Sequence, residues 1–372
     1  MIAPQAKPWV HDLPVYVPGK AKLDGFENPA RLAANEGPLG PSEAAMEAYR
    51  ALAPQLHRYP DGGAQALRGS IRDRYGLDAD RLIFGVGSDE ILTLVARAYL
   101  GPGDEAVYSE HGFLMYPIVT QSVGATPVMA PEAARRTDVD AILDAVTERT
   151  RVVFLANPNN PTGTYATASE LERLHQGLRG DILLVLDAAY AEYVREADYD
   201  PGTALVENSG NVLMTRTFSK IHALAGLRLG WGYGPAAVIE SLNRLRDPFN
   251  INAPAAAAGA ASVEDTGFIE RSVAHNEQWR GWLAGQLGQL GLGMTDSVTN
   301  FLLVDFAPWA ARLGCDGPGA AERAQRHLQE NGILVRQMGA YNLPSCLRIS
   351  IGLEHEVRAV VDHLSVLAEG SQ

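Results

Sequence analysis

The 372-residue sequence has little cysteine, no long apolar run and no basic cluster. Cys315 and Cys346 stand alone, without a CxxC pair. One disulfide is possible in principle, but two free thiols fit a reducing cytoplasm better, and no metal ligand set is expected. No apolar stretch approaches the ~20 residues of a membrane span. The opening "MIAPQAKPWVHDLPVYVPGK" has no apolar signal-peptide core. These absences set the expectation of a soluble, unexported, cytoplasmic protein with no membrane partner. Lysine and arginine total 31 against 44 acidic residues, for a net charge of −13. A nucleic-acid footprint needs clustered cations, so nucleic acid is not an expected partner. The Walker A pattern is missing, and "GVGSDE" lacks the third glycine of a dinucleotide fingerprint.

What is present is ordinary globular composition, 46% hydrophobic and 20% charged, with ample apolar side chains for a large core. The length fits about two domains. From about residue 64, short β-rich runs alternate with stretches of helical period. "RLIFGV" (81–86), "EAVYS" (105–109), "TPVMA" (126–130), "RVVFLA" (151–156), "DILLVLD" (181–187) and "NVLMTR" (211–216) read as strands. "SDEILTLVARAYL" (88–100) reads as a helix with Ser88 at its N-cap, and "ASELERLHQGL" (168–178) as another. This alternation implies an α/β fold, a mainly parallel sheet with helices on both faces. After about residue 250, "APAAAAGAASVED" (253–265) starts a long helical region. "FLLVDF" (301–306), "GILVRQM" (332–338) and "CLRISIG" (346–352) then alternate with helices as a smaller α+β domain. Pro4, Pro8, Pro14 and Pro18 forbid a long helix at the start, so an extended arm is expected. The expected division is an arm and part of the small domain over 1–45, a large domain over 46–260 and a C-terminal small domain over 261–372.

In open α/β sheets, ligands bind beyond the carboxyl ends of the strands. Ser88 and Asp89 follow "RLIFGVG", Asn160 follows "RVVFLANPN", Asp187 ends "DILLVLD", and Lys220 closely follows "NVLMTR". One pocket can gather all of them. A helix opening at Ser88 offers free N–H groups and a positive dipole end to a phosphate. Taken alone, a plain capping role is the better account of Ser88. Asp187 ends a strongly apolar strand and needs a partner. A backbone amide or an arginine would serve, and so, more specifically, would the protonated nitrogen of a heteroaromatic ring. Lys220 lies in "TFSKIHALAGL", where few charges compete. A lysine whose charged form is disfavoured becomes a nucleophile that forms Schiff bases with carbonyls. Arg228, with Thr217 and Ser219, supplies groups for a phosphate. An aldehyde, a phosphate and a ring nitrogen together describe pyridoxal 5'-phosphate.

The chain resembles the fold type I pyridoxal-phosphate aminotransferases over nearly its whole length. The matching pieces run from "VYVPG" (15–19) through "LAANEGPLGPS" (32–42), "RYPDGGAQALR" (58–68), "GVGSDEIL" (85–92) and "NPNNPTG" (157–163). They continue through "DAAYAEY" (187–193) and "TFSKIHALAGLRLG" (217–230) to "LRISIG" (347–352). Each is weak alone, and in this order together they are strong. The resemblance implies that Lys220 carries the cofactor as a Schiff base and then shuttles the substrate α-proton. It implies that Asp187 pairs with the pyridine nitrogen, and that Asn160 and Tyr190 hydrogen-bond the phenolic oxygen. Phe113 falls where an aromatic stacks on the ring, and Ser88, Asp89, Thr217, Ser219 and Arg228 where the phosphate is held. Tyr59 matches a tyrosine that crosses a dimer interface to the phosphate, so a homodimer with shared sites is implied. Arg348 matches the arginine that grips the carboxylate of glutamate. Asn35, Arg336 and, in the arm, Tyr16 fall on the substrate side.

Within this family the pieces fit best the members that take histidinol phosphate and glutamate in turn. Two arginines suit that demand, because planar guanidinium forks match both phosphate and carboxylate. Three positions depart from the usual pattern: Gly37 for Asn in "NENP", Gln337 for Pro after Arg336, and Ala188 for Glu in "DEAY". The first two lie toward the substrate. They leave open an aromatic amino-acid aminotransferase, or a threonine-phosphate decarboxylase of the same fold. A pyridoxal-phosphate-binding transcription regulator would carry a basic helix-turn-helix domain ahead of "LAANEGPLGP", where the proline-rich arm leaves no room.

Overall fold

The computed structural model describes residues 4–13 and 22–370, so Tyr16 lies outside the described residues. Strand β1 (Ala30–Leu32) precedes β2 (Leu82–Gly85), β3 (Glu105–Ser109) and β4 (Thr126–Ala130). A short hairpin, β5 (Glu132–Ala133) and β6 (Arg136–Thr137), leads to β7 (Thr150–Ala156), β8 (Leu183–Asp187), β9 (Val212–Thr217) and β10 (Gly230–Tyr233). Then follow β11 (Gly293–Met294), β12 (Phe301–Asp305), β13 (Ile333–Met338) and β14 (Leu343–Ser350). Among the described residues the largest sheet has the order β2-β10-β9-β8-β7-β3-β4. Its strands run parallel except β10, which lies antiparallel between β2 and β9.

The central strands are apolar on both faces because helices cover both. All five residues of β8 are buried. One face packs Leu184 and Leu186 against Leu67, Phe218 and Trp231, and the other packs Val185 with Ile91, Val95 and Leu242. A smaller sheet has the order β1-β13-β14-β12-β11 and its own core around Leu283, Trp309, Leu347 and Val360. Its strand β1 pairs parallel with β13, so a segment that precedes the large sheet in sequence completes the small one.

Four local features differ from the expectations. Ser88 does not cap its helix. It is the first helical residue of Ser88–Tyr99, and Gly87 takes the cap position at φ 78°, a left-handed conformation that suits glycine. The long helical region breaks at Asp265, whose carboxylate accepts from the Phe268 N–H at 2.9 Å and starts the helix Thr266–Gln289. The arm is not extended throughout, because Pro8–His11 forms one helical turn, with the Trp9 indole donating to the Ser122 carbonyl at 3.2 Å. Strand β10 has no counterpart in the sequence reading, because "GWGY" offers glycines where a strand usually shows branched residues.

The glycines of β10 answer to close packing. A Cβ on Gly230 would stand 2.3 Å from the Ser88 nitrogen and 2.5 Å from the Gly87 carbonyl carbon. Those are backbone atoms and cannot rotate away. Gly230→Ala should therefore lower unfolding stability by about 1–3 kcal/mol, the usual range for overpacking, in a urea titration. An unchanged midpoint would mean that the Gly87–Ser88 turn yields freely.

Candidate active site

The parallel strands of the large sheet end on one side, where the small sheet faces them. The loops beyond those ends surround a cavity of about 310 Å³. Most of the residues singled out from sequence line it: Asn35, Ser88, Asp89, Phe113, Asn160, Asp187, Tyr190, Thr217, Ser219, Lys220, Arg228, Arg336 and Arg348. Tyr59 does not. It is 84% exposed and stacks on Phe249, with ring centroids 4.9 Å apart.

Lys220 reaches into the cavity from the turn after β9. Its Nζ donates to the Ala34 carbonyl at 3.1 Å and lies 5.8 Å from the Tyr190 ring centroid. Burial, with the nearby Arg348 charge, pulls the amine down to about 8, against the opposing pull of Asp89 and Glu36. Asp187 closes β8 and is 5% exposed. Burial pushes its carboxyl up to about 6, although Tyr116 and Thr215 each donate to it at 3.1 Å. A buried carboxylate of this kind gains from any cationic N–H donor that enters the cavity.

Tyr190 stands between these groups and the small sheet. Its hydroxyl accepts from Asn35 Nδ2 at 2.9 Å, and burial holds its pKa up at about 12. Asn35 is anchored in turn by Ser350, whose hydroxyl accepts from the Asn35 N–H at 2.9 Å and donates to Asn35 Oδ1 at 3.0 Å. Asn160 accepts from Arg348 Nη1 at 2.5 Å through its side-chain oxygen. Phe113 packs edge-on to Tyr116 at 5.9 Å, and Tyr116 stacks on Phe154 at 5.1 Å.

An anion cradle forms at the start of helix Ser88–Tyr99. Free N–H groups point outward there and the helix dipole is positive. Arg228 Nη2 lies 3.4 Å from Asp89 Oδ2, and Nη1 lies 3.4 Å from Ser219 Oγ. Burial raises the Asp89 carboxyl, and the charges of Arg228 and Lys220 oppose that rise. Gly87 makes the approach possible, since a Cβ there would lie 2.7 Å from Arg228 Nη2.

Arg336 and Arg348 sit directly opposite each other on antiparallel β13 and β14, and both line the cavity. Arg348 is 7% exposed, donates to the Ala33 carbonyl at 2.8 Å and lies over Phe301 at 5.3 Å. Like charges opposed across a ladder repel. An anion between them would relieve that repulsion.

Sequence reasoning missed several contributors. Tyr116 and Thr215 hold Asp187, Tyr341 also lines the cavity, and the Ala33 and Ala34 carbonyls receive Arg348 and Lys220. Ser350 shares a strand face with Arg348, which was a usable signal. Of the three departures, Gly37 has a structural reason. A Cβ there would lie 2.8 Å from Ala223 Cβ and 2.9 Å from the Lys220 carbonyl oxygen. Ala188 is buried in the apolar core of the large sheet, where a glutamate would need a partner. Gln337 is exposed at a register shift in β13. Among the described residues, no cluster of three or more His, Cys, Asp or Glu could hold a metal ion, and no helix is long and apolar enough to cross a membrane.

A low-basicity amine, a buried acid and an anion cradle at the ends of a parallel sheet, faced by two opposed arginines of the smaller sheet, suit amino-group chemistry. The pattern of the family described as aminotransferase class I and II matches residues 27–364, and the chain belongs to that family. It is 53% identical over 361 residues to the histidinol-phosphate aminotransferase of Paramagnetospirillum magneticum, covering 97% of this chain and 98% of that one. It is also 53% identical over 370 residues to the histidinol-phosphate aminotransferase of Rhodospirillum centenum, covering 100% of both. The crystal structure of histidinol-phosphate aminotransferase from Sinorhizobium meliloti in complex with pyridoxal-5'-phosphate has a TM-score of 0.90 at 26% identity, covering 100% of this chain and 99% of that one. A Thermus thermophilus aspartate aminotransferase mutant shares the fold, with a TM-score of 0.79 at 23% identity over 91% of each chain.

The depressed basicity of Lys220 has a direct pH signature. Only the neutral amine attacks, so labelling by an amine-selective reagent should rise through pH 8, not through the ordinary 10.5. Peptide mapping across a pH series reads the midpoint for Lys220 alone. A midpoint near the ordinary value would mean that the amine is solvated.

Proposed function

We infer that this chain is a histidinol-phosphate aminotransferase of histidine biosynthesis, which moves an amino group between histidinol phosphate and glutamate with pyridoxal 5'-phosphate. The observation that carries the reading is the pair Arg336 and Arg348, opposed across two strands in the cavity that holds Lys220. Glutamate presents a carboxylate, and histidinol phosphate presents a phosphate instead. Two guanidinium groups can receive either. Relatives of the same name match the chain over nearly its whole length.

The residues present fit the cofactor. When bound, pyridoxal phosphate supplies an aldehyde that condenses with amines and a ring that accepts electrons as the α-proton leaves. The helix start at Ser88 and Asp89, with Thr217, Ser219 and Arg228, would hold its phosphate. Asp187 would hold the ring nitrogen, where a cationic N–H offsets the cost of burying the carboxylate. Asn160 and Tyr190 would hold the ring oxygen, and Phe113 would pack on the ring face. Lys220 would take the proton from the substrate α-carbon and deliver it to the cofactor carbon that carried the aldehyde, which moves the amino group off the substrate. With a pKa of about 8, its amine is poised to do both near neutral pH. Asn35 orients Tyr190 through the hydrogen bond between them.

The test is a half-reaction screen with histidinol phosphate, phenylalanine, tyrosine and threonine phosphate as donors, read by the change in cofactor absorbance. Histidinol phosphate should be the best donor. Arg336→Ala should weaken histidinol phosphate far more than glutamate, and Arg348→Ala should damage both. Losing a charge-assisted bond of this kind costs roughly 1.5–3 kcal/mol. An Arg336→Ala enzyme with intact histidinol phosphate kinetics, beside a parent that prefers aromatic donors, would sink this reading in favour of an aromatic aminotransferase. Lys220→Ala should abolish turnover, and borohydride reduction should fix the cofactor on the peptide that contains Lys220.

The same reading includes a homodimer with shared sites, in the cytoplasm. Its support is a set of exposed apolar residues, among them Tyr49, Leu56, Tyr59 and Phe249. The two free thiols, Cys315 and Cys346, suit a reducing compartment. Tyr59 lies outside its own cavity and would serve the partner's phosphate. Mixing inactive Tyr59→Ala with inactive Lys220→Ala should then restore part of the activity once subunits exchange. Proven exchange without recovery would assign Tyr59 to its own subunit.

A further inference from the structure

Behind the cavity, three residues next to the site point away from it and meet one another. Arg216 lies between Thr215, which donates to Asp187, and Thr217, which lines the cavity. Strand alternation sends Arg216 to the opposite face of β9. There its Nε and Nη2 both donate to Oε1 of Glu192, at 3.2 and 2.8 Å. Glu192 is two residues past Tyr190, in the turn Ala191–Tyr193. His222 is two residues past Lys220. Its Nε2 lies 4.0 Å from the same Glu192 oxygen, and its Nδ1 is 2.7 Å from Ser262 Oγ.

The Arg216 and Glu192 side chains are only 6% and 7% exposed. The guanidinium lies over the Tyr75 ring at 5.2 Å and the Trp231 ring at 5.6 Å. None of Arg216, Glu192 and His222 lines the cavity. A buried ion pair is a poor source of net stability, because desolvating both charges offsets their attraction. Its directional bonds, however, fix one arrangement of the segments that carry it. Each member here is within two residues of a site group on a different segment.

We propose that the Arg216–Glu192 pair, backed by His222, is a positioning device for the amino transfer. It locks the end of β9, the Tyr190 turn and the Lys220 turn into one arrangement. Thr215, the Tyr190 hydroxyl and the Lys220 amine thereby keep their places around the cofactor. This inference rests on the pyridoxal-phosphate reading above.

Two variants test it. Arg216→Met combined with Glu192→Leu removes both charges and keeps apolar bulk between Tyr75 and Trp231. Arg216→Lys keeps the charge but loses the planar fork. Parent and variants are melted, titrated with pyridoxal phosphate, and followed in the half-reaction with histidinol phosphate. The double variant should melt close to the parent, since replacing such a pair by apolar groups is often neutral. Its half-reaction rate should fall about 100-fold, the scale of a misplaced catalytic group. Its KM for histidinol phosphate should change less than about threefold, because Arg336 and Arg348 lie on other strands. The dissociation constant for pyridoxal phosphate should rise and the visible band of the bound cofactor should shift. Arg216→Lys should fall between the two.

A folded double variant with parent-like rate, band position and cofactor affinity overturns the proposal. Should the double variant not fold, Arg216→Lys decides on the same readouts, and parent-like values overturn it equally. A parent that takes up no pyridoxal phosphate would instead overturn the functional reading, and that result is read on the parent alone.

Discussion

One partly buried amine, among like charges, governs the arrangement of the site. Lys220 loses hydration in the cavity and faces the Arg348 and Arg228 charges, so its proton is held loosely. In the function proposed above, that looseness would let it act as a nucleophile and as a base. The cations that lower it must themselves be held against mutual repulsion. Arg348 is fixed by Asn160 and the Ala33 carbonyl, and Arg228 by Asp89, Ser219 and the Ala225 carbonyl. The acids feel one another as well, since Asp89 at the helix start adds to the rise that burial gives the Asp187 carboxyl. The fold can be read as a frame that keeps these unfavourable neighbours together.

The frame needs both sheets. The large sheet supplies Asp187, Lys220 and the helix start, each from the end of a different strand. The small sheet supplies Arg336, Arg348 and Ser350. Between them runs the segment before helix Glu43–Ala51, which gives Asn35 and the Ala33 and Ala34 carbonyls. Asn300 donates to the Asn35 carbonyl at 3.0 Å, so this segment is gripped by the small sheet while it holds Tyr190 and Lys220 of the large one. Any shift of one sheet against the other is therefore felt at the amine.

The main strands are legible in the sequence because they are short apolar runs, buried on both faces and bounded by polar turns. Strand β10 is not legible, since its stability comes from pairing with β2 and β9 and not from its own composition. The role of Gly87 is hidden for a similar reason: a positive φ leaves no mark in the sequence until the neighbouring Arg228 is placed. Lys220, Asp187 and Arg228 stand out as charged groups in apolar surroundings, and the order of motifs gives them roles. Tyr116 and Thr215 do not stand out, because a hydroxyl that supports a carboxylate from another element looks like any core tyrosine or strand threonine. Tyr59 shows the reverse case. The motif singles it out, yet a single chain leaves it outside the cavity.

The placement of Lys220 has a consequence for the chemistry of the whole surface. The chain contains only four lysines, Lys7, Lys20, Lys22 and Lys220, and the rest of its 31 cationic side chains are arginines. Arginine keeps its charge and does not form the imines that amines form with aldehydes. Past residue 22, the one side-chain primary amine is the one inside the cavity. Outside the cavity, the chain past residue 22 therefore offers no side-chain amine that could form imines with sugars or free pyridoxal. Past residue 22, side-chain imine formation is confined to one atom, Nζ of Lys220.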